Sequence, residues 1–359
     1  MGLVNKADVL TVSLAPHIRG GQTISKVMWT VVIALLPAVC YSVYIFGARV
    51  VSLIATSVLS AIIVEAVMQF VLKKRITALD GSAAITGLLI AMNVPPAAPL
   101  WMVGMGSAFA IIVVKQLFGG LGFNVFNPAL AARAFMMSSW PAHMTTGWHR
   151  FSGTNRLAGD TANTFNFPPE VFDAMTGATP LTTLKEGSKL LEEFGISLKD
   201  FSDFLLSPDI LISCFTGNIG GCIGETSGAL LLLGGLFLMF RKVITWHIPV
   251  SFIGTVWLMS IVCYWGMGYP DPFKISLFHV FTGGLMLGAF FMATDMVTSP
   301  VTKKGMIIFG IGCGIITFLI RIWGGYPEGV SYGILLMNAV TPLIDRLIKP
   351  KVFGFAKEG

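Results

Sequence analysis

The run Asp173-Ala174-Met175-Thr176-Gly177-Ala178-Thr179, followed by Pro180-Leu181-Thr182, concentrates hydroxyls and small residues in a polar stretch of the sequence. A threonine oxygen forms an ester only where a modifying partner can reach it. Gly177 and Ala178 leave the backbone beside Thr179 uncrowded, and Pro180 is expected to stop a helix from continuing there. The run therefore offers an open turn with an accessible hydroxyl. The same residues also fit a plainer reading, a helix boundary capped by a threonine, which is the one favoured by the residues alone.

Other polar side chains lie inside apolar stretches. Glu65 falls in the middle of one and Glu225 in a glycine-rich one, while Lys115, Arg133, Asp295 and Arg321 lie nearer the ends. A carboxylate in a bilayer costs about 2.5–3.5 kcal/mol on insertion scales, so Glu65 and Asp295 are suspected of function. The long basic side chains have the alternative of reaching the membrane interface. The turn Asn124–Asn127 and the pair Thr294-Asp295 adjoin Gly- or Pro-broken helix ends, where polar groups serve either a cavity or a cap. His143, His149, His247 and His279 share no ligand-type spacing, so no metal site is expected. Cys40, Cys214, Cys222, Cys263 and Cys313 form no CxxC pair and read as small packing residues.

Composition dictates what positions these groups. Of 359 residues, 54% are hydrophobic and 12% charged, against ~25% charged in soluble domains. So few charges cannot cover a water-soluble domain of this size, which excludes a soluble enzyme. The net charge of +6 is spread over short loops rather than gathered in one patch, which argues against nucleic acid. Residues 1–26 hold no signal-peptide pattern, so the first apolar run is expected to stay as an anchor.

Apolar runs at 27–45, 50–72, 80–94, 100–118, 127–142, 211–240, 246–267, 275–296, 305–324 and 329–347 predict an all-α integral membrane protein of about ten transmembrane helices. The third run is short and ends at Pro95-Pro96. The sixth is longer than one span, and its Gly217–Gly228 stretch predicts an irregular or re-entrant passage. With the N-terminus in the cytoplasm, the inside segments collect 14 of the 24 Lys and Arg, whereas short outside loops hold Arg49 and Lys274, with Arg321 near another. That bias places both termini and the Lys73 loop inside. The polar stretch at 143–208 then lies outside. With its edge at Asp209 it carries nine of the 18 acids, and its length favours a functional loop over a plain connector.

An internal repeat underlies the spans. Ile111 to Gly120, reaching Asn127-Pro128, matches Ile315 to Gly325, reaching Asn338 and Pro342, in the order proline, apolar span, base, paired glycines, asparagine. The first Gly-Gly falls inside and the second outside, so the two five-helix halves must be inverted, as in transport-type folds.

Asp-x-x-(Ser/Thr)-Gly-Ala-Thr resembles the flavinylation motif, whose last threonine takes FMN through its phosphate from an exported flavin transferase. Thr176 stands where that motif often has serine. Residues 11–38, Thr86-Gly87-Leu88-Leu89 through Pro95-Pro96, Lys115 to Gly122 with Phe126-Asn127-Pro128-Ala129, Ala293 to Pro300 and Ile320 to Gly329 are similar to one family, NqrB/RnfD. The relatively short N-terminal region is closer to the RnfD side.

The resemblance implies a relay subunit of an Rnf-type complex that passes electrons between ferredoxin and NAD+, coupled to Na+ or H+ movement. It implies covalent FMN on Thr179, with Asp173, Thr176, Gly177 and Ala178 as its motif, and a second, non-covalent riboflavin among the helices. Asn124, Asn127 and Asp295 are candidate flavin or cavity contacts. The implied partners are the A, B, C, E and G subunits, the transferase and membrane lipid. The chain itself holds no nicotinamide fingerprint and no iron–sulfur cysteine set, so the substrates must bind on those subunits. The expected organisation is a first membrane repeat at 1–142, an extracytoplasmic flavin loop at 143–208 and a second repeat at 209–359. The alternatives are an NqrB-like subunit of a Na+-translocating NADH:quinone reductase and a urea- or ammonium-type channel without a redox role.

Overall fold

The computed structural model describes residues 23–145, 179–185, 206–217, 220–225, 227–326 and 328–349. Helix α1 (Ile24–Phe46) starts where the Thr23 hydroxyl accepts from Lys26 N at 3.2 Å. Helix α2 (Arg49–Val71) follows directly, and α3 (Ser82–Met92) stops before Pro95-Pro96, as the doubled proline requires. Helix α4 (Leu100–Gln116) turns π-helical over Ala110–Gln116. Asn127 caps α5 (Pro128–Ser139), accepting from Ala129 N and Leu130 N at 3.0 and 3.3 Å. A short α6 (Pro141–Thr145) follows, then α7 (residues 180–185) and α8 (Pro208–Thr216).

The long sixth apolar run is broken. Among the described residues between α8 and α9 (Gly228–Phe240), a 3-10 turn spans Ile223–Glu225. Beyond it stand α10 (His247–Gly266), α11 (Pro272–Phe281), α12 (Leu285–Met292), α13 (Lys303–Trp323) and α14 (Val330–Leu347).

All regular structure among the described residues is helical. Helices α1, α2, α10 and α13 are long and apolar enough to cross a membrane, and α11 with α12, bent by 63°, makes a fifth if counted as one span. Helices α3, α4 and α9 are shorter than a full span, because prolines and glycines cut the apolar runs before they reach about 20 residues. Large apolar side chains such as Ile63 and Val67 of α2 and Leu258 and Val262 of α10 face outward at more than half exposure, which suits lipid and not water. The chain is a multi-pass membrane protein.

Helix α2 packs on α3 and α4, and α10 packs on α11 and α13, while α1 packs on α9 and α5 on α14. The α2–α3 approach needs Gly87, where a Cβ would stand 2.7 Å from Val58 Cα. Ser57 Oγ there donates to Gly87 O at 2.6 Å. Loops meet in pairs. Arg49 donates to the Pro96 and Ala97 carbonyls at 3.1 Å, Lys74 to Gly119 O at 2.7 Å, and Val301 N to Asp345 at 3.1 Å.

Candidate functional site

Thr179 is 4% exposed and opens α7. Its hydroxyl accepts from Thr182 N at 3.3 Å and lies 2.8 Å from the Thr182 hydroxyl, while its carbonyl accepts from Thr183 N at 2.9 Å. Thr179 is thus an N-cap, and Pro180 occupies the first helical position, where its missing N–H costs nothing. This is the threonine-capped helix boundary that the residues alone favour, and the open-turn reading is corrected: the proline starts a helix instead of stopping one, and the hydroxyl is buried rather than freely exposed.

Leu181 and Leu184 anchor α7 in an apolar cluster with Leu206, Ile210, Cys214, Tyr264, Ile275 and Phe278. Lys185 donates to the carbonyls of Gly324 and Tyr326. These contacts seat Thr179 on the wall of a cavity of about 280 Å³. Arg133, Met137, Glu328, Tyr326 and Tyr332 are among the residues that share that wall. The two tyrosine rings stack with centroids 5.7 Å apart and 20° between planes.

The floor of this cavity is a buried polar cluster. Arg133 of α5 pairs with Glu328 and donates to Asn93 Oδ1 at 2.7 Å and to Cys222 Sγ at 3.6 Å. Arg321 of α13 donates to the carbonyls of Glu328, His279 and Thr282 at 3.0, 2.5 and 3.2 Å, and so caps the C-terminal end of α11. Lys115, Arg133 and Arg321 are 2%, 4% and 3% exposed, so none of them reaches the interface. Each has a buried acceptor that offsets the loss of water, which overturns the interfacial reading for all three.

Asn93 carries the polar chain inward. Its amide donates to Leu89 O at 2.6 Å and lies 3.6 Å from Met292 Sδ, where α3 and α12 end against each other. Asn127 donates to Met292 O at 3.2 Å. With the Asn338 amide oriented so that its oxygen accepts, Asn127 N donates to it at 3.1 Å. The two asparagines that end the repeated sequence pattern therefore touch.

On the far side of that junction lies a second cavity of about 130 Å³. It brings together Asn124, Asn127, Thr294, Asp295, Ser82 and Lys115 among its lining residues. Three of these also act as caps or turn formers. Asn127 caps α5, Asn124 donates to Phe126 O at 3.1 Å, and Asp295 accepts from Val297 N and the Thr298 hydroxyl at 3.3 and 3.2 Å. Glu65 is no isolated charge. It pairs with Lys115 at 2.7 Å and accepts from Gln69 and Gln116 at 3.1 Å, while Lys115 also donates to Ser82 Oγ at 2.7 Å.

Of the motif expected around Thr179, residues Asp173, Thr176, Gly177 and Ala178 lie outside the described residues. Sequence reasoning does not find the meeting of Cys222, Glu225 and Glu328, whose ligating atoms lie within 4.8 Å of one another. No spacing signals it, because Glu328 is far from the other two along the chain.

The family described as NQR2, RnfD, RnfE matches residues 11–354. The chain is 46% identical over 350 residues, 97% of its length and 96% of the relative's, to the D subunit of the Na+-translocating ferredoxin:NAD+ oxidoreductase complex of Acetobacterium woodii. It is also 46% identical over 357 residues, 97% of each chain, to the D subunit of the proton-translocating ferredoxin:NAD+ oxidoreductase complex of Clostridium ljungdahlii. To the D subunit of the ion-translocating oxidoreductase complex of Stutzerimonas stutzeri it is 38% identical over 349 residues, 93% of each chain.

Proposed function

Because this chain belongs to the NQR2, RnfD, RnfE family, we infer that it is the D subunit of an Rnf-type ion-translocating ferredoxin:NAD+ oxidoreductase complex. Within that role we propose that Thr179 carries FMN through a phosphoester. The observation that carries this proposal is the position of the Thr179 hydroxyl on the wall of the 280 Å³ cavity. That volume is close to the ~300 Å³ at which small-ligand pockets begin, and the lining suits a flavin: flat aromatic and methionine side chains on one part, a guanidinium on another.

A flavin so held would accept and release one or two electrons at a time, and the protein would supply its position and surroundings. The stacked Tyr326 and Tyr332 offer an apolar wall to a planar ring. Arg133 offers a positive charge toward the cavity while Glu328 keeps that charge in place. Leu181 and Leu184 hold α7 against the helices and so keep water from the hydroxyl. Because Thr179 is buried once α7 is seated, the transferase must act on this segment before it packs.

The second cavity has the polar lining proposed for a riboflavin, with Asn124, Asn127 and Asp295, but its 130 Å³ does not fit one. Side chains such as Met28 and Met296 would have to move to admit it. The proposed arrangement remains two inverted five-helix repeats around an extracytoplasmic flavin loop. The corresponding packing of α2 on α3 and α4 and of α10 on α11 and α13 supports the repeat. Loop pairs assigned to one side by the charge bias also touch one another, which supports the topology. The A, B, C, E and G subunits of an Rnf complex and the flavin transferase are the proposed partners.

Covalent flavin tests this reading and separates it from a channel. Made together with its transferase, the chain should run as a fluorescent band on a denaturing gel, and Thr179→Ala should run dark at the same level of membrane insertion. A colourless chain in transferase-positive cells would favour the pore.

A further inference from the structure

Behind the floor of the Thr179 cavity, Glu225 is 6% exposed, and its Oε1 has no hydrogen-bond partner among the described residues. An ionised carboxylate oxygen can only accept, so a buried one without a donor is unstable unless a proton or a cation joins it. Its neighbours in the cluster are Cys222 Sγ and the Glu328 carboxylate, all within 4.8 Å of one another.

The positive charges facing this pair are already engaged. Arg133, from α5, is bonded to Glu328 and to Asn93. Arg321, from α13, gives its hydrogen bonds to three carbonyls and none to a carboxylate. His279, from α11, lies beyond Arg321 and bonds the Tyr264 hydroxyl of α10 at 3.0 Å. The Cys222 thiol reaches Asn93 O at 3.6 Å and Glu328 Oε1 at 3.9 Å and also meets the Glu225 side chain, a weak donor shared among several acceptors that leaves Glu225 Oε1 unpaired. Tyr326 and Tyr332 stack on the cavity wall.

One carboxylate is thus hydrogen-bonded by a guanidinium, while the other has an oxygen that neither arginine reaches. Space is left for a small charge, because Gly284 has no Cβ where one would stand 4.0 Å from Glu225 Oε1 and 3.8 Å from Arg133 Nη1. The 280 Å³ cavity reaches the Glu328 side of the pair, where Glu328 and Arg133 line it.

We propose that the Glu225–Glu328 pair holds one exchangeable monocation, either a proton on Glu225 or a sodium ion between the two carboxylates. A proton gives the partnerless Glu225 oxygen the hydrogen it lacks and a sodium ion gives it a cation to ligate, whereas a divalent ion would leave a larger excess charge beside Arg133 and Arg321 in a poorly solvated interior. The site stands whether or not Thr179 carries FMN.

Infrared difference spectroscopy on the full chain in lipid nanodiscs tests it, with the covalent flavin of the same sample measured separately. The pH is stepped in potassium buffer, and then sodium replaces potassium at fixed pH. A carboxylic-acid C=O band that disappears as pH rises, indifferent to sodium, identifies the proton. A band that disappears on sodium addition at fixed pH identifies sodium. In either case the response should be absent in Glu225→Gln and present in Glu225→Asp. Identical difference spectra for the unaltered chain and Glu225→Gln, or no responding band, would overturn the proposal. Should Glu225→Gln fail to insert, carbodiimide labelling of the unaltered chain decides. The rate of adduct formation at Glu225, followed by peptide mass, should fall at least about tenfold as pH or sodium rises, and a rate indifferent to both overturns the site.

Discussion

Replacing Lys115 by methionine should destabilise the first half of the protein far more than the loss of an ordinary interhelical hydrogen bond. Lys115 and Glu65 have side chains 2% and 1% exposed and lie 2.7 Å apart, so neither can turn to water if the other is removed. Methionine keeps most of the volume and takes away the charge. Glu65 would keep its two amide donors, Gln69 and Gln116, but lose its counter-charge. Breaking a buried pair from one side costs about 3–5 kcal/mol, or roughly two to four orders of magnitude in the folding equilibrium. Hydrogen bonds between membrane helices average only about 0.6 kcal/mol, with a maximum near ~1.7. The two mechanisms are therefore separable by size. Unfolding by titration into a denaturing detergent, followed by tryptophan fluorescence, reads the difference. The double substitution Glu65→Gln with Lys115→Met should recover most of the loss, because no bare charge remains. A single-substitution cost below about 1 kcal/mol, or a double whose cost is the sum of the two singles, would refute the reasoning.

Gly87→Ala should destabilise the α2–α3 contact by about 1–3 kcal/mol, since the added Cβ meets backbone that cannot swing aside; the same detergent titration reads it, and an unchanged midpoint would contradict the close approach. Asn127→Ala removes both the α5 cap and the bond to Met292 O, so a loss of about 1–2 kcal/mol is expected in that titration. An impermeant thiol reagent, applied to chains lacking the native cysteines, should label Asp271→Cys in intact cells and Lys74→Cys only after membrane disruption. The reverse pattern would invert the topology.

Much of this architecture is legible in the sequence because lipid imposes a strong pattern. The apolar runs that correspond to α1, α2, α10, α13 and α14 match their helices to within three residues at each end. The break in the sixth run is legible from its glycines. The runs for α3 and α4 match their helices to within two residues, the third run being short from its Pro95-Pro96 end. Less legible is the 63° break of the 275–296 run into α11 and α12, since hydropathy sums over a run and does not register a bend at Gly283-Gly284. The burial of Lys115, Arg133 and Arg321 is hidden because a long basic side chain near a helix end fits the interface or the interior equally well in sequence. Only their partners decide it: Glu65 lies 50 residues from Lys115 and Glu328 lies 195 from Arg133. Thr179 is located by its motif, yet its burial follows from Leu181 and Leu184 packing on helices encountered later in the chain. Asn127 and Asn338, which end the repeated pattern, meet in the interior of the fold, a contact that the pattern alone does not give.

Peptide mass spectrometry of the chain purified from transferase-positive membranes tests the assignment of flavin to Thr179 most directly. The fragment containing Thr179 should carry the mass of FMN less one water, with fragment ions placing the addition on Thr179 and not on Thr176, Thr182 or Thr183. Thr179→Ala should remove the added mass while the chain still inserts. An unmodified Thr179 in those membranes, or the flavin found on Thr176 instead, would contradict the assignment.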